Sequence, residues 1–173
     1  AAYAAEPWDP ARVLVWVGSG RGGNRREGGN PKNPKMWRTL DGKPVDKGAD
    51  SETDVIFPAS ANVELGLQAR HVTLEPGADV KFGNLQLAGN LWIKEGAKFE
   101  WYNGNFGRRD KDTFVRSDNA EHHQMYNLTR IAKQPDKSVE FIGRWRWHDQ
   151  VILGSGRFIV GPGSNFRHSN HFP

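Results

Sequence analysis

Three eleven-residue segments of this chain superimpose without gaps: Val55–Leu65 (VIFPASANVEL), Val72–Phe82 (VTLEPGADVKF) and Leu91–Trp101 (LWIKEGAKFEW). A fourth copy lies at Phe158–His168 (FIVGPGSNFRH). The first slot holds Val55, Val72, Leu91 and Phe158, the third Phe57, Leu74, Ile93 and Val160, and the ninth Val63, Val80, Phe99 and Phe166. Between the third and ninth slots stands a run of small residues, such as Pro76-Gly77-Ala78 and Glu95-Gly96-Ala97. Apolar residues two apart, a tight turn, then apolar residues two apart again describe two short strands joined by a corner.

The first three copies begin 17 and 19 residues apart. A unit of that size cannot bury its own apolar face, so successive copies must stack. The pattern predicts an all-β chain, a right-handed parallel β-helix (β-solenoid) of few coils with an irregular N-terminal cap. Leu85-Gln86-Leu87 reads as a further strand of the same coil. An antiparallel β-sandwich with look-alike hairpins is the alternative; agreement of the copies in turn position as well as in apolar phase favours the solenoid. Val72, Leu74, Val80, Ile93 and Phe99 are then expected inside, and Thr73, Glu75, Lys81 and Lys94 outside.

The 173 residues suit a single domain. Within it, 1–50 forms an N-terminal strand and a basic loop or cap, 51–101 the repeat coils, 102–138 a loop excursion and 139–173 the final coils. Val13-Leu14-Val15-Trp16-Val17 is the first strand. The loop from 18 to 50 carries eight Lys or Arg against four acids, with Met36-Trp37 as its apolar anchor. A loop of that length needs a role of its own. Trp37 is expected to tuck onto the first coil and close its open end. In 102–138, Thr113–Arg116 is a candidate strand and Asp118–Gln124 a polar loop or short helix. Nothing closes the chain after Asn170, which is compatible with a longer solenoid.

Asp54-Val55-Ile56-Phe57-Pro58, then Val63-Glu64-Leu65, then Leu87-Ala88-Gly89-Asn90-Leu91-Trp92-Ile93 resemble the opening of the eight-glycine extracellular domain. That family is a β-helical module of secreted and cell-surface proteins, often attached to polysaccharide-processing enzymes. Trp16-Val17-Gly18, followed by Trp37 and the Asp-Val-Ile-x-Pro element, is also similar to bacterial secreted β-helix proteins. The resemblance spans about residues 13–101. It implies fold and setting and carries no catalytic residue with it.

Three groups of side chains are candidates for chemistry. Trp92, Trp101, Tyr102, Trp145 and Trp147 form an aromatic set. Trp92 alternates with Leu91 and Ile93 and should face outward. Trp145 and Trp147, two apart, share a face: turned outward they make a platform on which sugar rings stack, turned inward they are core. The histidines His122, His123, His148, His168 and His171, with Asp118, Glu121 and Asp149, offer ligand and acid–base chemistry, but their spacing matches no zinc signature. Arg21, Arg25 and Arg26 in the basic loop are candidates for contact with a polyanion, and Tyr126, His123, Arg130 and Lys133 would be the parts of a lyase if the fold gathered them. Gly18-Ser19-Gly20-Arg21-Gly22-Gly23 lacks the Lys-Ser/Thr of a phosphate loop. The ligand-binding candidates are therefore Trp92, Tyr102, Arg21, Arg25, Arg26, Trp145 and Trp147, with no catalytic residue assigned and no metal or cofactor expected.

The formal net charge is +4, a sign that suits anionic partners. There are no cysteines, which excludes disulfides and thiolate metal sites and leans bacterial. The opening Ala1-Ala2-Tyr3-Ala4-Ala5 is what cleavage of a secretory signal leaves behind, so a secreted, periplasmic or cell-surface setting is expected. No run is long enough to span a membrane. Together these predict an exported, non-catalytic β-helix module for cell-surface or matrix binding, whose partners are polysaccharide, anionic in the favoured case, or like chains, and not nucleic acid. The alternatives are an enzyme acting on acidic polysaccharide and a subunit of an extracellular filament.

Overall fold

A computed structural model describes residues 12–18, 30–106, 109–148 and 153–169. Strand is the dominant regular structure: β1 (Arg12–Trp16), β2 (Trp37–Arg38), β3 (Thr53–Phe57), β4 (Asn62–Ala69), β5 (Val72–Leu74), β6 (Asp79–Leu87), β7 (Leu91–Ile93), β8 (Lys98–Phe106), β9 (Thr113–Ser117), β10 (His123–Ala132), β11 (Ser138–Ile142), β12 (Arg144–His148), β13 (Leu153–Ser155), β14 (Arg157–Val160) and β15 (Asn165–Ser169). One sheet runs β14-β11-β9-β7-β5-β3-β1-β2 and the other β15-β12-β10-β8-β6-β4, with β13 beside β10. Apart from the antiparallel β1–β2 pair, these ladders are parallel. The chain is a β-solenoid of about five turns, as the repeat predicts.

The repeat slots become columns. Val55, Val72 and Leu91 are in register on the short-strand sheet, and Val63, Val80 and Phe99 on the other. Val72, Leu74, Val80 and Ile93 are fully buried, and Phe99 nearly so. Burial of each such side chain contributes roughly 1.5–3 kcal/mol. Thr73 is the exception to the expected outer row, since it is fully buried. It lies between Ile56 and Trp92 in register, and two large neighbours shelter a small side chain on a flat ladder. Glu75, Lys81 and Lys94 are half-buried because they pair along the ladder: Lys94 Nζ lies 3.0 Å from Glu75 and Lys81 Nζ 3.7 Å from Glu100.

The corners explain the small-residue run. Ala61, Ala78 and Ala97 are buried, and their N–H groups donate to the carbonyls of Pro58, Glu75 and Lys94 at 2.9–3.1 Å. An inward methyl fills the bend where anything larger would push the strands apart. Gly77 and Gly96 stand just before, at φ +96° and +93°, in the left-handed region that costs side chains most.

At the N-terminal end, Trp37 is fully buried, its ring 5.0 Å from Trp16 and 6.0 Å from Phe57. Its indole N–H donates to Pro31 at 2.8 Å. The second half of the long loop is thus the expected cap.

Two expectations change. Residues 102–138 are not an excursion: β9 and β10 stack in line with their neighbours and supply a full turn. The column Val55, Val72, Leu91, Val115, Phe141, Val160 advances by 17, 19, 24, 26 and 19 residues, so the coils grow and then shrink, which hides their kinship. The fourth copy also slips by two residues on one sheet. Phe166 keeps the column of Phe99, by way of His123 and Trp145, but Val160 rather than Phe158 stands in the column of Leu91. The preceding coil is tighter still, with Gly143 alone joining β11 to β12 at φ +102°. A Cβ there would sit 2.3 Å from the Ser117 carbonyl.

Replacing Gly96 with Val is expected to destabilise the protein by about 1–3 kcal/mol, from its backbone conformation alone, because an added Cβ finds room 3.6 Å from Pro76. Chemical denaturation of the two proteins measures it; equal midpoints would remove the corner's requirement for glycine.

Candidate functional site

The long strands share a four-residue pattern that sets two inward and two outward positions per coil. It reads Val63-Glu64-Leu65-Gly66, Val80-Lys81-Phe82-Gly83, Phe99-Glu100-Trp101-Tyr102, His123-Gln124-Met125-Tyr126 and Trp145-Arg146-Trp147-His148, and Phe166-Arg167 continue it. The first outward column is Glu64, Lys81, Glu100, Gln124, Arg146, Arg167, each in register with the next. The second carries a ladder of rings. Tyr102 stacks on Tyr126 at 4.8 Å and Tyr126 on His148 at 4.7 Å, with 10° between planes in both pairs. Strand spacing in a sheet is about 4.8 Å, so parallel strands impose this stacking on rings placed in register.

The ladder is pinned by its neighbours. The Tyr102 hydroxyl donates to Glu100 at 2.7 Å, and this bond, aided by burial and by the carboxylate's charge, pushes the phenol pKa up to about 12. The His148 Nε2 lies in hydrogen-bond contact with Gln124 Oε1. At the far end of the face, Arg144, Arg146 and Arg167 are exposed on adjacent strands, with Arg146 beside Arg167. Arg144 donates to the Ala120 carbonyl at 3.2 Å.

Of the expected ligand-binding residues, Tyr102 is on this face. Trp145 and Trp147 are not: both are buried, at 0% and 1% exposure, and the platform is corrected to core. Strand parity decides this, because Trp145 continues the column of Phe99 and His123 while Arg144 and Arg146 take the outside. Trp92 does face outward on the short-strand sheet, but its ring is engaged. The Arg116 guanidinium lies 4.6 Å and Lys94 Nζ 4.9 Å from its centroid, and its N–H donates to Asp118 at 2.9 Å. Asp118 also accepts from Arg116 at 2.8 Å, closing the cluster. Arg21, Arg25 and Arg26 lie outside the described residues.

The side chain of Arg130 lies outside the described residues, and the other three candidate lyase parts are not gathered. Tyr126 is outside in the ring ladder, His123 is inside, and Lys133 is fully buried with its ammonium donating to the Lys111 carbonyl at 2.7 Å. His123 belongs to a corner. Its Nε2 lies 2.6 Å from Ser117 Oγ, and Asn119 bridges Ser117, the Lys94 carbonyl and the Gly96 N–H at 2.9–3.3 Å. Burial lowers the His123 pKa to about 4, against a hydrogen bond to the Phe99 backbone that raises it. A cleft of about 470 Å³ opens beside this corner, between Glu95 and Gln124. Among the described residues no three His, Asp or Glu side chains are grouped to hold a metal, and no helix is long and apolar enough to cross a membrane.

Tyr126 and His148 were not legible as partners of Tyr102. The signal was present as an inward large residue followed by an outward ring, in Trp101-Tyr102, Met125-Tyr126 and Trp147-His148. The irregular coil lengths concealed it. The fold and this face define a parallel β-solenoid with a laddered, polar outer surface. The chain matches no family model, no curated protein and no solved structure.

A neutral His123 contributes stability that is fully present above the unfolded pKa of about 6.5 and is lost as pH falls through its folded value of about 4. The loss is roughly 3 kcal/mol. Urea unfolding across that window should show a steeper acid loss for the wild type than for His123→Gln; parallel curves would contradict the neutral, desolvated ring.

Proposed function

We propose that this chain is an exported, non-catalytic binding module that holds an acidic polysaccharide along the outer face of its long-strand sheet. The observation that carries this reading is the face itself: a rigid, regular surface on which Arg144, Arg146 and Arg167 meet the end of the Tyr102–Tyr126–His148 ladder. Guanidinium groups take carboxylates and sulfates in bidentate pairs, and their planar fork loses little freedom in doing so. Phenol, imidazole and amide edges beside them supply donors and acceptors for hydroxyls. Three further points favour binding over turnover. The candidate acid–base groups Tyr126 and His123 point to opposite sides of the wall, the face repeats regularly from strand to strand, and the likeness of residues 54–58 and 87–93 to the eight-glycine extracellular domain suggests an extracellular setting.

Retention on alginate–agarose tests the proposal. The wild type should bind at low salt and elute as salt rises, because exposed charge pairs are screened with a Debye length near 8 Å at physiological ionic strength. Arg146→Ser with Arg167→Ser should move elution to clearly lower salt while leaving stability within about 0.5 kcal/mol. Arg21→Ser, Arg25→Ser and Arg26→Ser together should weaken it further if the basic loop also meets the polymer. Retention unmoved by both sets of changes would defeat this reading.

A further inference from the structure

The fourth position of the strand pattern reads Gly66, Gly83, Tyr102, Tyr126, His148 along the solenoid. Tyr126 has both ring faces covered, by Tyr102 and by His148. Tyr102 is the terminal ring: one face meets Tyr126, and the other points to the rung of residue 83, where no side chain stands. Gly83 is not required by its own backbone. Its φ is outside the left-handed region, and an added Cβ would meet nothing within 4 Å; at Gly66 the nearest atom would be 3.8 Å away. A strand residue with no side chain is costly. The register shifts here, since Leu65 pairs with Phe82 and Gly66 with Asn84; Gly83 is the inserted residue of that bulge, yet a side chain on it would not be crowded. What the two glycines do provide is an empty rung beside a ring already held by its bond to Glu100.

The geometry points to a pyranose-stacking subsite on the free face of Tyr102, where one sugar ring lies over Gly83 as the next rung of the Tyr102–Tyr126–His148 ladder. This rests on the polysaccharide reading above and says where that polymer is gripped by ring rather than by charge. The C–H face of a pyranose carries partial positive charge and suits the negative face of an aromatic ring. The rim is polar: Lys81 and Glu100 stand in the neighbouring column, Asn84 and Asn103 are exposed, and the Asn103 amide donates to the Gly83 carbonyl at 3.2 Å. A hydroxyl-bearing ring edge satisfies such groups, whereas an apolar aromatic ligand would desolvate them without partners. Opposite charges are mixed and paired here, so this rung selects for a sugar ring and not for its charge, while the Arg146–Arg167 end selects acidic units. Four strand spacings, about 19 Å, separate the rungs of Gly83 and Arg167, so an extended oligosaccharide reaches both.

Calorimetric titration of the whole chain with an alginate hexamer and with cellohexaose tests this. Gly83→Ile fills the empty rung and Tyr102→Ala removes the platform; each should weaken alginate-hexamer binding about tenfold. Tyr102→Phe keeps the ring and should stay within about twofold. Gly83→Ile should leave the salt dependence unchanged, whereas Arg146→Ser with Arg167→Ser should flatten it. If the wild type binds the alginate hexamer and Gly83→Ile and Tyr102→Ala bind it equally well, the subsite is overturned and the polysaccharide reading stands. A Tyr102→Phe loss as large as that of Tyr102→Ala also overturns stacking. Binding of cellohexaose alone, lost in Gly83→Ile, upholds the subsite and overturns the acidic ligand; no binding of either sugar overturns both.

Discussion

Parallel strands in register, each about 4.8 Å above the last, give every side chain a counterpart directly above and below. That single constraint produces both the interior and the exterior of this protein. Inside, it builds a continuous run of ring contacts from Trp16 and Trp37 through Phe57, Phe82 and Phe99 to Trp145 and Phe141, with centroids 5.0–6.0 Å apart. Edge-on arrangements dominate this chain of rings, as they do wherever aromatic quadrupoles are free to choose. Outside, the same constraint turns neighbours into ladders, whether ionic, as in Glu75–Lys94, or aromatic, as in Tyr102–Tyr126–His148. The outward rings stack nearly parallel because their strands fix them at that spacing, not because the sandwich is their preferred geometry.

A coil must also leave its long strand and begin the next short one without stranding buried backbone groups. Here that corner is lined with polar side chains. Arg70 binds Asp54 with two bonds of 2.8 Å, both residues buried, and Asp54 also accepts from the His71 N–H at 3.3 Å. One coil on, the Asn90 N–H donates to His71 Nδ1 at 2.8 Å, and the Asn90 side chain accepts from the Phe114 N–H at 2.9 Å. Asp112 receives Ser138 in the same manner at 2.9 Å. An ion pair so deeply buried adds little net stability over an apolar pair of equal volume. It sits where one coil passes to the next, beside the contacts of His71 and Asn90. Gly89 leaves room for this, since a Cβ would lie 2.4 Å from His71 Nδ1.

The slot pattern made the first coils legible because Val55, Val72 and Leu91 repeat at nearly constant intervals and their corners share one chemistry. Legibility failed where the interval changed. Between Leu91 and Phe141 the coils lengthen, a register shift enters at Leu128, and the corner at Ser117–His123 is built from side chains instead of Gly-Ala. Trp145 and Trp147 were ambiguous for a simpler reason. Period-two alternation states that they share a face but not which one, and only the stacking of Trp145 under His123 resolves it. Thr73 shows the converse limit, since its burial depends on the breadth of Ile56 and Trp92, which no alternation pattern encodes.

The outer face is not uniform along the axis, and this gives it a direction. Its first column runs from Glu64, Lys81 and Glu100, where signs alternate, through neutral Gln124 to Arg146 and Arg167, where they do not. Its second runs from Gly83 to three stacked rings. A chain molecule lying along the axis therefore meets a neutral, ring-based contact at one end and a cationic one at the other, and reversing it exchanges the two. Because the strands beneath are locked by an interior of close-packed rings, the spacing between these contacts cannot adjust to the ligand. Such preorganisation lowers the ordering cost of binding, and it penalises any polymer whose repeat is out of step with the rungs. On the polysaccharide reading proposed above, selectivity would arise from matching a fixed repeat along one line of the sheet.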